Sequence, residues 1–472
     1  MLPIKLFLLS IAISICSIAI SQTKQPNIIF LLADDLGYGD IDCYGQQKIA
    51  TPNIDQLAKE GMRCTQFYSA SPVCAPARTS FMTGMHTGHS VIRGNKTIGV
   101  EGQVPLPDST ITFPMLLQQK GYNTAAFGKW SLGFIGTSGE PAKKGVAEFY
   151  GYNCQTQAHN YYPDHLWHNS TKIAFVNNPE VHNVYSADDI HNKALAYLQQ
   201  QSKQPFFMYL PYTLPHGDLS VPHDTLYNHY VKQFGETALP KPADYKAKEG
   251  KWFEPYPHAA FAAMVARLDQ FVGDINKVLK QKGLEENTIF IFTSDNGPHK
   301  EDGGDPDFFN GTAGYRGIKR DVYEGGIKEP FIAKWKSHIR AGSETSFTFA
   351  LWDMFPTFLE VAKIKNTTKV DGISVLPTLL GKPQLPHQYL YWELGEAGSK
   401  QAIRVGQWKA VRLNVITNSH APIELYNLKN DPLEKHDVSL TQKQIADKLG
   451  KMMDTIHVTN KNWPLLKTEI NQ

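Results

Sequence analysis

The chain has 472 residues, which is enough for two or three domains or for one large α/β domain. Hydrophobic residues make up 42% and charged residues 19%, so the composition is that of a globular protein and excludes an intrinsically disordered chain. The formal net charge is only +2, which argues against a nucleic-acid-binding protein with an overall basic field but leaves room for a local positive pocket.

The N-terminus has the pattern of an export signal. Lys5 precedes a nearly continuous apolar run at residues 6–20, and small residues ending at Ser21 stand where signal peptidase cleaves. The run is too short for a typical membrane span. We therefore predict a signal peptide over residues 1–21 and an exported, periplasmic or secreted protein without stable membrane insertion. Lipidation at Cys16 is a weaker alternative, because a bulky residue precedes it.

Strand and helix patterns alternate over most of the chain. The first is a continuous apolar run at residues 26–33, which is typical of a strand buried on both faces of a sheet. Helix patterns follow at 53–61, 110–120, 187–200 and 259–282, and further strand patterns at 122–127, 205–212, 288–293 and 330–334. This alternation predicts an α/β fold in which a large, mostly parallel sheet is sandwiched by helices.

The composition changes after about residue 385. Short strand patterns at 401–413 and 423–428 precede a helix pattern at 442–453, which predicts a small antiparallel sheet with a helix. We therefore divide the mature chain into a catalytic domain at residues 22–385 and a C-terminal α+β subdomain at 386–472.

Acidic and amide side chains follow two of the predicted strands. Asp34 and Asp35 end the first strand, and Asp295 and Asn296 follow the strand at 288–293. Because ligands collect beyond the carboxyl ends of parallel strands, the two pairs are expected to converge. Their oxygen atoms suit calcium or magnesium and suit zinc poorly. Taken singly, either pair could simply cap a turn.

The cysteines are too few for a disulfide scaffold in an exported chain of this length. Those beyond the predicted signal peptide are Cys43, Cys64, Cys74 and Cys154. Pro76 favours the first turn of a helix beginning near Cys74, and Arg78 then lies one turn on. A nucleophile there would face the positive end of the helix, although a lone cysteine is more often a small buried hydrophobe. If Cys74 is modified, at most one disulfide can form among the rest.

The segment around Cys74 resembles the signature of a known family. Cys74-x-Pro76-x-Arg78, followed by Thr83-Gly84, is similar to the signature of type I, formylglycine-dependent sulfatases of the alkaline-phosphatase superfamily. Within that family the chain looks like the bacterial carbohydrate sulfatases. The resemblance runs from Pro26 to about Val438. Its further motifs are Pro26-Asn27-Ile28-Ile29 with Asp34-Asp35, residues 51–55, Gly128-Lys129-Trp130, Leu214-Pro215-His216, Asp295-Asn296-Gly297, residues 317–326, and residues 424–428 with Asp431-Pro432.

The resemblance implies a role for each matching residue. A formylglycine-generating enzyme would oxidise Cys74 to formylglycine, and Arg78 would hold the product in place. Lys129 and Lys319 would hold sulfate oxygens, and His216, alone or with Lys319, would protonate the leaving oxygen. The implied ligands of one Ca²⁺ are an oxygen of modified residue 74 with Asp34, Asp35, Asp295 and Asn296.

The implied reaction is hydrolysis of a sulfate ester with release of inorganic sulfate. One hydroxyl of the hydrated aldehyde attacks sulfur, and loss of the proton from the other hydroxyl expels sulfate. Three carboxylates, one Ca²⁺ and three basic side chains would give the site a charge of about +2, which suits a singly charged sulfate monoester. Without the metal these charges cancel.

One position departs from the family. Where the usual motif reads Trp-His-Leu-Gly, this chain has Trp130-Ser131-Leu132-Gly133. Serine has no useful basicity near neutral pH, so the base for sulfate release would be water or another histidine, such as His86 or His89.

Residues 150–162 are rich in amide, imidazole and phenol groups, which hydrogen-bond to sugars and stack on them. A packed aromatic loop explains the same composition equally well. Together with Ser131, this segment favours a sulfated glycan or its oligosaccharides as substrate, as in sulfatases of carbohydrate-degrading bacteria, some of which act on galactose-type sugars.

Two other functions stay open. A phosphonate monoester or phosphodiester hydrolase of the same superfamily would share the formylglycine nucleophile. A catalytically inactive sulfated-glycan binder draws support only from Ser131. Nothing in the sequence indicates nucleic acid as a partner.

Overall fold

The computed structural model describes residues 25–99, 101–243 and 253–470. The predicted signal peptide at residues 1–21 lies outside these described residues. Within the described ranges, no helix combines the length and the apolar character that crossing a membrane requires. The cysteines of these ranges are free thiols, and they are Cys43, Cys64, Cys74 and Cys154.

Strands and helices alternate along most of the chain, as the sequence pattern predicts. The strands are β1 (Asn27–Ala33), β2 (Met62–Cys64), β3 (Phe67–Tyr68), β4 (Thr97–Ile98), β5 (Gly102–Gln103), β6 (Asn123–Lys129), β7 (Glu148–Tyr152), β8 (His165–His168), β9 (Thr171–Ala174), β10 (Phe206–Pro211), β11 (Thr288–Ser294), β12 (Phe331–Trp335), β13 (Ser343–Thr345), β14 (Phe349–Ala350), β15 (Leu390–Leu394), β16 (Lys400–Val405), β17 (Trp408–Leu413) and β18 (Ile423–Asn427). The α-helices are α1 (Pro52–Glu60), α2 (Cys74–Thr83), α3 (Phe113–Gln119), α4 (Asn178–Val181), α5 (Ser186–Gln200), α6 (Thr225–Phe234), α7 (Pro257–Gln281), α8 (Pro306–Phe309), α9 (Glu324–Ile327), α10 (Met354–Val361), α11 (Leu376–Leu379) and α12 (Lys443–Ile456).

The large sheet contains ten strands of the described chain in the order β13-β2-β12-β11-β1-β10-β6-β7-β8-β9. Its five central strands, β11, β1, β10, β6 and β7, all run parallel. At the two sides, β12 pairs antiparallel with β11, and β8 pairs antiparallel with β7. The predicted mostly parallel sheet is therefore confirmed, with its antiparallel pairs confined to the flanks.

Both faces of the central sheet are covered. Ile29 and Leu31 of β1 belong to one apolar core, together with residues of α1, α5 and α7. Ile28 and Phe30 belong to the opposite core, together with residues of α2, α3 and α10. Each such side chain contributes roughly 1.5–3 kcal/mol through burial. Burial on both faces explains why the β1 sequence is apolar throughout instead of alternating.

The C-terminal region forms the predicted antiparallel sheet with a helix. Strands β15 to β18 pair in sequence order, and α12 packs on them through a third apolar cluster. This unit is tied to the rest of the protein by specific polar contacts. Trp392 Nε1 donates to the Ser69 carbonyl at 2.8 Å, and the buried Lys409 Nζ lies 2.9 Å from Glu324 Oε1.

Candidate active site

The predicted metal ligands lie at the carboxyl ends of two neighbouring parallel strands. Asp34 and Asp35 follow β1, and Asp295 and Asn296 follow β11, with which β1 pairs along its whole length. Asp35 has a φ of +61°, a left-handed conformation that aspartate adopts more readily than most residues. Its backbone N–H donates to Asp295 Oδ1 at 3.2 Å, which joins the two strand ends.

The side chain of Asn296 completes this group of oxygen atoms. Its Nδ2 donates to Asp35 Oδ1 at 2.6 Å. Its Oδ1 is buried and accepts no hydrogen bond from any described residue. A buried amide oxygen without a donor is suited to a cation, because it is a hard ligand that water does not solvate.

Cys74 begins α2, with Val73 as the N-cap residue, as the position of Pro76 in the sequence predicts. The thiol is 1% exposed, and its Sγ lies 3.3 Å from Asp34 Oδ1. Burial, and then the charge of Asp34, raise the pKa of the Cys74 thiol well above its ordinary value. The unmodified thiol is therefore held neutral, which makes it a poor nucleophile.

Arg78 lies one helical turn beyond Cys74 and is fully buried. Its Nε and Nη2 donate to Asp295 Oδ2 at 3.0 and 2.7 Å, and its Nη1 donates to the Lys129 carbonyl at 2.6 Å. The guanidinium thus joins α2 to the ends of β11 and β6. A lysine could not make these three donations to two acceptors, because it lacks the planar fork of donors.

Lys129 ends β6, and its Nζ donates to Asp34 Oδ2 at 2.7 Å. Burial opposes ionisation of Asp34, but Lys129 and Arg78 outweigh it and hold the pKa of that carboxyl below its usual range. Asp295 differs, since burial and the neighbouring Asp34 outweigh Arg78 and raise its pKa to about 6. Of these two carboxyls, Asp295 is therefore the one whose negative charge the nearby cations stabilise less.

His216 and Lys319 lie together on the other side of Asp35. His216 Nδ1 contacts the Gly217 carbonyl, and Lys319 Nζ lies 3.2 Å from His216 Nε2 and 2.8 Å from Asp35 Oδ2. Burial and the charge of Lys319 hold the pKa of His216 well below its ordinary value, so the imidazole is neutral. Lys319 stays charged, because Asp35 and Glu301 outweigh its burial and raise its pKa.

Glu301 is a site residue that the sequence analysis missed. Its Oε2 accepts from Lys319 Nζ at 3.0 Å, and it also pairs with Arg320. The signal available in the sequence was a carboxylate five residues beyond Asn296, in the loop after β11. Glu301 adds one negative charge to the site and its partner Arg320 adds one positive charge, so the predicted charge of about +2 with one divalent cation does not change.

The residues present fit a calcium ion. Asp34, Asp35, Cys74 and His216 each offer one ligand atom, and these atoms lie within 4.8 Å of one another. The unpartnered oxygen of Asn296 and the raised pKa of Asp295 both indicate a place for additional positive charge. Cys74 offers sulfur and His216 nitrogen, so the preference for calcium over zinc rests on the oxygen atoms of the predicted ligands Asp34, Asp35, Asp295 and Asn296.

The histidines considered as replacements at position 131 are not brought to Cys74. Helix α2 has ten residues and is thus about 15 Å long, with Cys74 at its start and both histidines beyond its end. His89 Nδ1 instead binds Asp371 at 2.8 Å, and His86 packs against the Tyr391 ring at 5.3 Å. Ser131 itself is fully buried and has a φ of +63°.

Residues 150–162 wrap around the site. The tyrosines of this segment are buried, and the Tyr161 hydroxyl donates to the Thr213 and His216 carbonyls at 2.7 and 2.9 Å. His159 stacks edge-on against His216 at 4.4 Å between ring centroids. The tyrosines of this segment therefore pack, as the interpretation as a packed aromatic loop predicts, and the hypothesis that its polar groups bind a sugar stays a prediction.

Comparison with known proteins identifies the family of this chain. The sulfatase family profile matches residues 26–364, which is most of the chain, and includes every site residue described above. The chain belongs to the sulfatase family. Its activity is accordingly that of a sulfuric ester hydrolase. A second profile, that of the N-sulphoglucosamine sulphohydrolase C-terminal region, matches residues 314–461 of this sulfatase.

Relatives cover nearly the whole sulfatase chain. N-acetylgalactosamine-6-sulfatase of Rattus norvegicus is 28% identical over 94% of this chain and 87% of its own length. N-acetylgalactosamine-6-O-sulfatase of Bacteroides thetaiotaomicron is 27% identical over 92% of this chain and 94% of its own. The crystal structure of Ps i-CgsB in complex with k-i-k-neocarrahexaose matches with a TM-score of 0.78 and 28% identity, covering 95% of this chain and 96% of that one.

Proposed function

We propose that this sulfatase hydrolyses sulfate esters of a sulfated carbohydrate through a formylglycine made from Cys74 and one bound Ca²⁺. The observation that carries the proposal is the position of Cys74, at the start of α2 and 3.3 Å from Asp34 Oδ1. A buried residue there lies between carboxylates that suit a metal and cations that suit sulfate. A formylglycine-generating enzyme and export from the cytoplasm belong to the same proposal, as does the division at residue 385.

Two groups absent from the polypeptide as translated supply part of the chemistry. A calcium ion here would be held by Asp34, Asp35, Asp295, Asn296 and an oxygen of residue 74, and it would supply positive charge to acidify a hydroxyl on residue 74 and to offset the sulfate. The hydrate of formylglycine would supply the attacking hydroxyl and a second hydroxyl whose deprotonation releases sulfate.

The buried basic residues position residue 74, bind the sulfate and protonate the leaving oxygen. Arg78 ties α2, which carries residue 74, to the ends of β11 and β6. Lys129 and Lys319 hold sulfate oxygens. Lys319 Nζ also lies within hydrogen-bond distance of His216 Nε2, at 3.2 Å. Because Lys319 is the protonated member of this pair, it would supply the proton that the pair delivers to the leaving oxygen, which is general acid catalysis.

A carbohydrate is the favoured alcohol part of the substrate. The relatives named above include two N-acetylgalactosamine-6-sulfatases and a protein solved with k-i-k-neocarrahexaose. The polar groups of residues 150–162 that border His216 support the same class, because imidazole and amide groups hydrogen-bond to sugar hydroxyls.

A parallel assay tests this function against the phosphonate monoester or phosphodiester alternative. We expect 4-nitrophenyl sulfate to be hydrolysed with a kcat/KM at least about 100-fold above those of the corresponding phosphate and phosphonate esters. Galactose and N-acetylgalactosamine sulfated at position 4 or 6 form the sugar panel, scored by released sulfate. A preference for phosphonate esters would reverse the assignment, and binding of all sulfates without turnover would indicate an inactive glycan binder.

Ser131 is expected to make sulfate release slow. Because no histidine stands there to accept a proton, a burst of alcohol product should precede the steady rate, and Ser131→His should raise the steady rate of aryl sulfate hydrolysis. If Ser131 instead makes room for substrate, Ser131→His should raise KM for a sugar sulfate but not for 4-nitrophenyl sulfate. Pre-steady-state kinetics of both enzymes measure these effects. No burst and no change in either constant would leave Ser131 without a role in turnover.

A further inference from the structure

Two buried polar oxygen atoms, Ser131 Oγ and Asn153 Oδ1, have no hydrogen-bond partner among the described residues. Ser131 and Asn153 follow the neighbouring parallel strands β6 and β7, and the Ser131 backbone N–H donates to the Asn153 carbonyl at 3.1 Å. Ser131 is fully buried and Asn153 is 1% exposed. Buried polar atoms of native proteins normally have a hydrogen-bond partner, so a bound ligand could supply the partner that these two atoms lack.

The segment that carries the Asn153 amide borders the reaction site on two sides. Gln155 Nε2 lies 3.5 Å from Asn95 Oδ1, which accepts from the Ala75 N–H at 3.1 Å, beside residue 74. Four residues later, His159 packs against the ring of His216. The segment therefore spans from the helix that carries residue 74 to the proposed general acid.

The chemistry of the unpaired atom restricts its partner. An amide oxygen only accepts hydrogen bonds, and sulfate oxygens also only accept. Asn153 Oδ1 therefore needs a donor from the alcohol part of the substrate. Beside it stands Ser131, a smaller side chain than the histidine usual in the family, and its Oγ is also unpaired among the described residues.

We propose that Asn153 is a specificity-determining residue whose Oδ1 accepts a hydrogen bond from a free hydroxyl near the sulfate ester. This inference rests on the proposed sulfatase function and deepens it, since it makes the substrate a sulfated sugar with a hydroxyl neighbouring the sulfate. Aryl sulfates lack such a hydroxyl and do not use this contact.

The test compares 4-nitrophenyl sulfate with the best substrate of the sugar panel and with monodeoxy analogues of that sugar. In the unmodified enzyme, one monodeoxy analogue should lose roughly 10- to 100-fold in kcat/KM. In Asn153→Leu the parent sugar should fall by a similar factor, and the same analogue should lose nothing further. The ratio of sugar to aryl sulfate kcat/KM should drop at least tenfold. The analogue series uses the unmodified enzyme, so it stays informative if Asn153→Leu folds poorly.

Asn153→Asp is the matched control, because it keeps an acceptor oxygen of the same length. It should preserve the discrimination between parent and monodeoxy sugar, although its negative charge slows both. Equal losses for sugar and aryl sulfate in Asn153→Leu would overturn the inference, because the residue would then not discriminate by the alcohol part of the substrate. Equal turnover of all monodeoxy analogues, or hydrolysis of 4-nitrophenyl sulfate with none of the sugar panel, would also overturn it. Failure to hydrolyse any sulfate ester would instead contradict the proposed function.

Discussion

Replacing Cys74 with alanine is expected to abolish hydrolysis of 4-nitrophenyl sulfate, lowering kcat by about 10⁴-fold or more. Alanine cannot be oxidised to formylglycine, so the reaction loses its nucleophile, not just a contact. The fold should persist, because α2 remains anchored by Arg78, which makes its contacts with Asp295 and Lys129 independently of the thiol. Steady-state kinetics, a melting curve and calcium titration of the purified variant measure the three effects.

Cys64→Ala is the matched control. Cys64 is also fully buried, but it lies in β2, where its neighbours are in the antiparallel flank of the sheet. Its replacement should cost some stability through a small cavity and leave kcat within about twofold. Multiple turnovers by Cys74→Ala at more than a small fraction of the normal rate would exclude residue 74 as the nucleophile.

Loss of the metal should be nearly as damaging. Asp35→Ala and Asp295→Asn are each expected to lower kcat/KM at least about 100-fold, because both remove a carboxylate from the proposed calcium ligands. Chelation should inactivate the unmodified enzyme reversibly, with activity restored by calcium and not by zinc. A readout besides activity is available, since calcium should raise the melting temperature of the unmodified protein and not that of Asp295→Asn.

Asp269→Asn separates a metal effect from general loss of a buried carboxylate. Asp269 is 2% exposed and accepts from the backbone of Asn53 and Ile54 at the start of α1, on the face of the sheet away from α2. This variant should be less stable, yet calcium should still raise its melting temperature. Full activity of the unmodified enzyme after exhaustive chelation would contradict the calcium site.

The central fold could be predicted because its strands are buried on both faces. Such strands have continuous apolar sequences, so the sequence pattern predicts the ends of β1 and β11 to within one residue of the observed ends. The antiparallel hairpin of β8 and β9 was missed, since its residues are partly exposed and carry no such run. Strand order could not be predicted either, because β1 pairs with β10 and β11, which lie far along the chain.

The residues of the candidate site likewise include some that the sequence could predict and some that it could not. Residues in motifs at strand ends, such as Asp34 and Lys129, could be predicted from the family signature and from the rule that ligands collect at carboxyl ends. Glu301 and Asn153 could not, because each acts from a loop whose neighbours depend on the tertiary fold. Glu301 meets Lys319 only when two loops pack together, and the isolation of the Asn153 oxygen is visible only once its surroundings are known.

The modification of Cys74 is the claim on which the catalytic account depends, and peptide mass spectrometry tests it most directly. The protein should be produced together with a formylglycine-generating enzyme, alkylated under reducing conditions and digested with trypsin, which yields residues 64–78 as one peptide. The account predicts a peptide alkylated only at Cys64, in which residue 74 has lost one sulfur and two hydrogen atoms and gained one oxygen. A preparation with full sulfatase activity in which both Cys64 and Cys74 are alkylated would contradict it.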